Sequence, residues 1–314
     1  MGKSVSKLNQ FLTTNFEGTN NINFGLSNKT GGMHNLVSGK NNKINGSIGY
    51  SFISGYNNEI AAETLISPSY TRSFIAGAEN LLKDNKNSCI IGSSNTLIGL
   101  LEKAANIQDA TARECGWNFV SGAKNEIHQS KFCFIGGGTE NIIKHGDCAV
   151  IFGRNNENYA GDGSLVIGNG NINGDENEEE NQSWSKVGSR SIVVGSSNTN
   201  TGTNSLINGK KNINNKNYIF ASGYQLKAGT NTSNHTTILG YANKEVASAL
   251  LVIGNGSINH DKSEPNSRSN ALVLDESGNL TISGNIISKS GNLETIINAL
   301  VNAITALGGE VNFN

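Results

Sequence analysis

The chain has 314 residues, a net charge of −1 and 16% charged residues, while about one residue in six is Asn and Pro occurs only twice. This balanced charge offers no electrostatic basis for binding nucleic acid or an anionic membrane surface. The sequence contains no run of eighteen apolar residues, so it predicts neither a transmembrane helix nor membrane insertion.

Residues 1–34 precede the regular part of the chain, and we interpret them as an N-terminal cap or attachment segment, with a weak first coil at Ile22 to Asn28. From residue 35 to 262 a short unit recurs, Ser-Φ-Φ-x-Gly-x-x-Asn-x-Ile, in which Φ is an apolar residue. Its glycines are mostly 14 to 17 residues apart: Gly39, Gly55, Gly77, Gly92, Gly122, Gly137, Gly153, Gly168, Gly195, Gly209, Gly223, Gly240 and Gly254. A period near 15 is too short for helical hairpins but fits one coil of a β-solenoid. We therefore predict an all-β parallel β-solenoid, a β-roll of about 13 to 14 coils.

The recurring positions have separate predicted roles. Glycine tolerates the positive φ of a corner, and an Asn repeated at one coil position stacks into a hydrogen-bonded amide ladder. The ladder residues are Asn42, Asn58, Asn80, Asn95, Asn125, Asn156, Asn171, Asn198, Asn212 and Asn243. Both Φ positions are expected to stack as the core. Cys89 takes a Φ position and is expected to act as a small core residue, and all four cysteines are expected to be free thiols.

Three insertions, at 61–72, 99–117 and 172–190, interrupt the period. The second is predicted to hold a short helix from Leu100 to Glu114. Insertions in solenoids emerge on the surface and often form the binding face. Aromatic and Arg side chains contribute most of the binding energy at interfaces. Tyr70, Arg72, Trp117 and Trp184 are therefore the candidate receptor-binding residues; the alternative is that the two Trp side chains pack the insertions onto the rod.

Residues 263–314 form a different module. Ser269 to Ile286 is predicted to form two strands about a turn at Glu276 to Asn279. Apolar residues then alternate at spacings of four and three: Leu293, Ile297, Leu300, Ile304 and Leu307. This spacing is typical of a coiled-coil seam, and because two heptads are marginal alone, it predicts an oligomer clamp. The alternative is one helix packed on its own rod.

Two resemblances follow from these motifs. Ser51-Phe-Ile-Ser-Gly55, Ser164-Leu-Val-Ile-Gly168 and Ser191-Ile-Val-Val-Gly195 are similar to the head repeat of trimeric autotransporter adhesins, which are left-handed parallel β-rolls assembled as trimers. The likeness covers roughly residues 35 to 260, although that family favours Ala where this chain has Phe and Ile. The segment from Arg268 to Gly284 resembles one that recurs in tail and baseplate proteins of phages of Gram-positive and gut bacteria.

Autotransporters also need a secretion signal and a C-terminal membrane anchor, and this sequence shows neither pattern. The resemblances therefore imply a structural virion protein: a homotrimeric phage tail fibre or receptor-binding protein, or the matching fibre of a phage-derived injection particle. Its partners would be other tail or baseplate proteins and a glycan or protein receptor on the host surface. It would be assembled in the host cytoplasm and be extracellular after release. The alternatives are a bacterial trimeric surface adhesin and a polysaccharide-degrading tailspike.

Catalytic patterns are weak throughout the chain. A depolymerase needs paired carboxylates in a groove, whereas the coils hold few acids and the run from Asp175 to Glu180 is typical of a solvated loop. The five His residues lie on different coils, without a nucleophile motif or metal-ligand spacing. We expect no enzymatic activity, no cofactor and no metal.

Overall fold

The computed structural model describes residues 20–46, 48–62, 72–99, 115–159, 161–176, 187–288 and 291–306. These residues form a parallel β-solenoid of about 13 turns, followed by an antiparallel hairpin region and one C-terminal helix. The predicted fold class is confirmed. Six predicted features lie wholly or mostly outside the described residues: the N-terminal cap, the helix at 100–114, the acidic run from Asp175 to Glu180, Tyr70, Trp184 and Leu307.

Each coil contributes one strand to a 16-stranded sheet, called here the long sheet. Its strands are Ile22–Leu26, Leu36–Lys40, Phe52–Tyr56, Phe74–Ala78, Cys89–Ser93, Phe119–Ala123, Phe134–Ile135, Val150–Arg154, Leu165–Asn169, Ile192–Ser196, Leu206–Lys210, Phe220–Tyr224, Thr237–Tyr241, Ala249–Asn255, Asn270–Asp275 and Leu280–Ile282. The first fourteen pair in parallel, and the last two are antiparallel.

A second strand in most coils builds a 12-stranded parallel sheet, called here the short sheet. Its strands are Lys29–Thr30, Lys43–Asn45, Glu59–Ala61, Leu81–Lys83, Thr96–Ile98, Glu126–His128, Ile142–Lys144, Glu157–Tyr159, Ile172–Asn173, Thr199–Asn200, Ile213–Asn214 and Lys227–Ala228. Near the C-terminus, Ile287–Ser288 pairs antiparallel with Gly291–Asn292.

The register places glycine on glycine from coil to coil, as in Gly55 opposite Gly77. Gly55 has a φ of 124°, and a Cβ on it would overlap the carbonyl oxygen of Gly77, so both backbone conformation and close approach require glycine here. Stacking starts at Ile22–Leu26, because that strand already pairs with Leu36–Lys40. The first coil thus lies within the segment that we interpreted as the N-terminal cap.

On the long sheet, the core is formed by the second Φ position of each unit. These side chains point inward and are almost all fully buried: Val37, Ile53, Ile75, Ile90, Val120, Ile135, Ile151, Val166, Val193, Ile207, Ala221, Ile238 and Val252. The first Φ position points outward, because successive residues of a strand face opposite sides. Phe74, for example, is 37% exposed, and Cys89 is half-buried at the same outward-facing position. The prediction that both Φ positions fill the core was wrong for the first.

Antiparallel strands close the C-terminal end of the long sheet. Asn270–Asp275 pairs with Ala249–Asn255 and then with Leu280–Ile282, which confirms the predicted hairpin. In its turn, Asp275 Oδ1 accepts hydrogen bonds from the backbone N–H groups of Ser277 at 2.9 Å and Asn279 at 2.8 Å.

The C-terminal helix, Leu293–Ala306, has no buried residue, and Leu300 is 62% exposed. The alternative in which this helix packs on its own rod is therefore not what the structure shows. Leu293, Ile297 and Leu300 are all exposed apolar side chains. In the part of the chain that the structure describes, no helix has the length and apolar character needed to cross a membrane.

Candidate functional site: internal ladders and exposed rows

The Asn residues that follow the glycines stack as a continuous amide ladder inside one corner. Asn125 shows the pattern: its backbone N–H donates to Asn95 Oδ1 at 3.0 Å, and its Nδ2 donates to Gly138 O at 3.2 Å. Its own Oδ1 accepts from the backbone N–H of Asn141 at 3.0 Å. Each amide thus ties together the coil before it and the coil after it.

The ladder comprises Asn28, Asn42, Asn58, Asn80, Asn95, Asn125, Asn141, Asn156, Asn171, Asn198 and Asn212. Sequence reasoning missed Asn141, because Gly136 to Gly138 adds one residue to that coil. Gly138, not Gly137, approaches Gly153 on the next coil. The adjacent Thr139 also bridges Ala123 and Arg154, which places it in the register of the other coils.

Asn243 departs from the predicted ladder. Leu226 occupies the ladder position above Asn212 and only donates its backbone N–H to Asn212 Oδ1, at 2.9 Å. Asn243 instead binds both backbone groups of Lys227: its Oδ1 accepts from the N–H at 2.7 Å and its Nδ2 donates to the carbonyl at 2.9 Å. The amide therefore imitates a neighbouring strand and closes the end of the short sheet.

A second stack of amides replaces apolar side chains in the core of the later coils. Asn158, Asn173, Asn200 and Asn214 are fully buried at the inward position of the short strands, where earlier coils have Ile or Leu. The Nδ2 groups of Asn173, Asn200 and Asn214 donate to the amide oxygen of the preceding coil at 2.6 to 2.7 Å, and Asn158 Nδ2 donates to Gly161 O at 3.0 Å. Because every one of these groups is paired, the polar stack is compatible with burial.

The outer face of the long sheet carries a continuous apolar column, the outer column. It consists of Ile22, Leu36, Phe52, Phe74, Cys89, Phe119, Phe134, Val150, Leu165, Ile192, Leu206, Phe220, Thr237 and Leu251, with Thr237 as its one polar member. Ring pairs stack along it, with Phe52 and Phe74 at 5.1 Å and Phe119 and Phe134 at 5.0 Å between centroids. Every member is half-buried or exposed in the isolated chain.

A second, mostly exposed row lies two residues before each parallel long strand from Leu36–Lys40 to Thr237–Tyr241, so that it runs from His34 to His235. We call it the corner row. Arg72 and Trp117, two of the candidate receptor-binding residues, belong to it and are both exposed. Trp117 stacks on Phe132 of the next coil at 5.2 Å, and Lys86 Nζ lies 5.5 Å from the Trp117 ring centroid. Trp117 is 42% exposed on the rod, and the insertion that precedes it lies mostly outside the described residues.

Several titratable side chains near the corner row have structural roles. Burial raises the pKa of the Cys133 thiol to about 12, and its Sγ donates to Gly146 O at 3.0 Å. Asp162 Oδ1 accepts from the Asp147 backbone N–H at 2.7 Å, and Asp147 Oδ1 accepts from the Lys131 N–H at 3.1 Å. These carboxylates cap successive coils. Among the described residues, no three His, Cys, Asp or Glu side chains cluster as metal ligands would.

Comparison with known proteins identifies no relative: no protein-family model matches this chain, and no curated protein matches it significantly. The solenoid geometry and its exposed surfaces are therefore the basis for a functional proposal.

Proposed function

We propose that this protein is a structural attachment protein without catalytic activity, a phage tail fibre or receptor-binding protein that acts as a homotrimer. The observation that carries the proposal is the outer column of the long sheet. A solenoid that functions as a monomer has no need of an apolar stripe on its outer face, and large exposed apolar patches mark interaction sites.

The outer column suits contact with further copies of the same chain. Its members repeat once per coil and run parallel to the rod axis, so two or three rods laid side by side bury the column along their whole length. Finishing the burial of a half-exposed Phe such as Phe74 contributes on the order of 1 kcal/mol. Summed over fourteen coils, this favours a stable oligomer even though each contact is weak.

The C-terminal module supports the same assembly. Leu293, Ile297 and Leu300 lie on an exposed helix with four-three spacing, which is the pattern of a helix that packs against equivalent helices. The three-fold state is supported by the resemblance of the repeat to trimeric heads. The attachment role is supported by the likeness of the Arg268 to Gly284 segment to phage tail proteins. Under this proposal the partners are tail or baseplate proteins and a host-surface receptor, and the protein works in the virion and outside the producing cell.

Light scattering of the purified full chain tests the assembly. We expect the wild-type chain to be a trimer at micromolar concentration. Phe119→Lys should give a folded chain that no longer assembles, because three charged Lys side chains would meet in place of three rings. Thr199→Lys, on an outward position of the short sheet, is the matched control and should stay trimeric. A folded wild-type monomer at micromolar concentration would refute the assembly.

Localisation and host adsorption test the attachment role. We expect an antibody against the chain to label tails of purified particles, and we expect added protein to block particle adsorption to host cells. Labelling of the surface of intact, particle-free cells would identify the bacterial adhesin instead.

A further inference from the structure

The two corners that flank each long strand share one backbone conformation. The residues chosen at one corner can therefore be compared directly with those chosen at the other. One residue at each corner has a positive φ near 55°: Tyr50 has 58° and Trp117 has 55° in the corner row, while Asn57 and Lys124 have 55° and 54° at the corner beside the Asn ladder. Left-handed backbone is uncommon for residues other than Gly, and Asn tolerates it best. Backbone preference alone would therefore fill both rows with Gly and Asn.

Aromatic residues nevertheless occupy this conformation in only one of the two rows. The corner row holds His34, Tyr50, Trp117, Phe132, Tyr218 and His235. From Ser27 to Ala242, the left-handed residues beside the Asn ladder include no aromatic side chain. The rings are exposed, 42% for Trp117 and 51% for Phe132. The fold does not require them, and they do not fill the core.

The rings also form pairs on neighbouring coils. His34 stacks on Tyr50 at 4.9 Å, and Tyr218 stacks on His235 at 4.5 Å between centroids. Stacking holds each ring in a fixed orientation along the rod, which lowers the conformational entropy that a partner must remove on binding. The row is therefore a preorganised surface.

The charged side chains of this row are positive. Between His34 and His235 the corner row contains Arg72 and Arg190 but no Asp or Glu, whereas the opposite corner contains Glu79 and Glu140. Arg and the Trp ring N–H can donate but not accept hydrogen bonds. A complementary ligand is anionic and rich in acceptors.

We propose that the segment of the corner row from Arg72 to Phe132 binds an acidic polysaccharide, with Trp117 and Phe132 in apolar contact and Arg72 on its carboxylates. The inference rests on the proposed attachment function and specifies the chemical class of its receptor. Coils repeat at about 4.8 Å, so this segment spans roughly 15 Å of rod. A linear chain of several sugars matches this shape better than a compact ligand does.

Fluorescence of Trp117 reports directly on this site. The chain has two Trp residues, so Trp184→Phe leaves Trp117 as the sole emitter in the full-length protein. Titration with polygalacturonate oligosaccharides should change its emission until the change saturates. The affinity obtained from this titration should fall as the salt concentration increases. Neutral dextran of the same length should have no effect.

Variants then locate the binding. In the Trp184→Phe background, Arg72→Ala and Phe132→Ala should each weaken binding about fivefold or more, the range of an interface hot spot. Lys124→Ala removes a cation at the opposite corner of the same coil and should change the affinity less than about twofold. Circular dichroism and light scattering of each variant establish that fold and assembly are retained.

Four outcomes would overturn the inference: no binding of the polysaccharide, equal binding of neutral dextran, equal losses for Lys124→Ala and Arg72→Ala, or shielding of Trp117 from acrylamide on oligomer formation. The last would identify the corner row as a contact between subunits. A particle whose adsorption is blocked by a protein that binds no acidic polysaccharide would refute this inference alone. Failure of the proposed function would appear separately, in the assembly and adsorption measurements.

Discussion

Replacing Asn125 by Leu removes a fully buried amide from the middle of the Asn ladder with little change in volume. The perturbation separates hydrogen bonding from packing. Leu226 already occupies the equivalent position in a later coil, so the backbone tolerates Leu there.

The magnitude follows from the partners that Asn125 leaves behind. Gly138 O still accepts from the Ala123 N–H at 3.0 Å, and Asn141 Nδ2 still donates to Gly153 O at 2.7 Å. The backbone N–H of Asn141 loses Asn125 Oδ1, the acceptor that it contacts at 3.0 Å. One buried donor without an acceptor costs about 1 to 3 kcal/mol, and we expect this loss for Asn125→Leu.

Hydrogen exchange is the sharpest assay because a repeat array opens locally. Exchange of the Asn141 amide should accelerate about tenfold or more, since about 1.4 kcal/mol corresponds to a factor of ten, and the thermal midpoint should fall. Asn169→Leu, the same exchange at an exposed strand position, should stay within about 0.5 kcal/mol of wild type. Unchanged Asn141 protection in Asn125→Leu would refute the role assigned to the ladder.

Three further predictions concern backbone, thiols and pH. Gly168 has a φ of 127°, and a Cβ there would overlap the neighbouring coil. Gly168→Ala should therefore lower the free energy of unfolding by about 2 kcal/mol or more, and an unchanged thermal midpoint would contradict the close approach. Iodoacetamide treatment of the native protein at pH 8 should modify Cys148 and leave Cys133 intact, because Cys148 is exposed whereas Cys133 is buried with a raised pKa. Mass spectrometry measures both sites, and equal modification would contradict the burial of Cys133. Hydrogen bonds from the turn lower the pKa of Asp275. Its stabilisation of the hairpin is therefore present above its unfolded pKa of about 3.9 and is lost as pH falls through its folded pKa. Equal amide protection of the hairpin at pH 7 and pH 2 would disprove this link.

The sequence by itself determined the coil and its corners. Glycine at a fixed period, with Asn three residues later, predicted a parallel solenoid, because a repeat of about 15 residues can bury its apolar side chains only by stacking on its neighbours. The same logic predicted the ladder, although one extra residue at Gly136 to Gly138 hid Asn141. It also missed the buried stack at Asn158, because Asn at that position breaks the apolar pattern by which a core is recognised.

Only the tertiary structure decided which apolar residues face solvent. Two adjacent apolar residues in a strand, such as Phe74 and Ile75, cannot both point inward, yet the sequence does not say which one does. The outer column, and with it the case for self-association, became visible only when the coils were stacked. The same holds for the corner row: His34 and Tyr50 are sixteen residues apart in sequence, and only the register of successive coils brings their rings into contact.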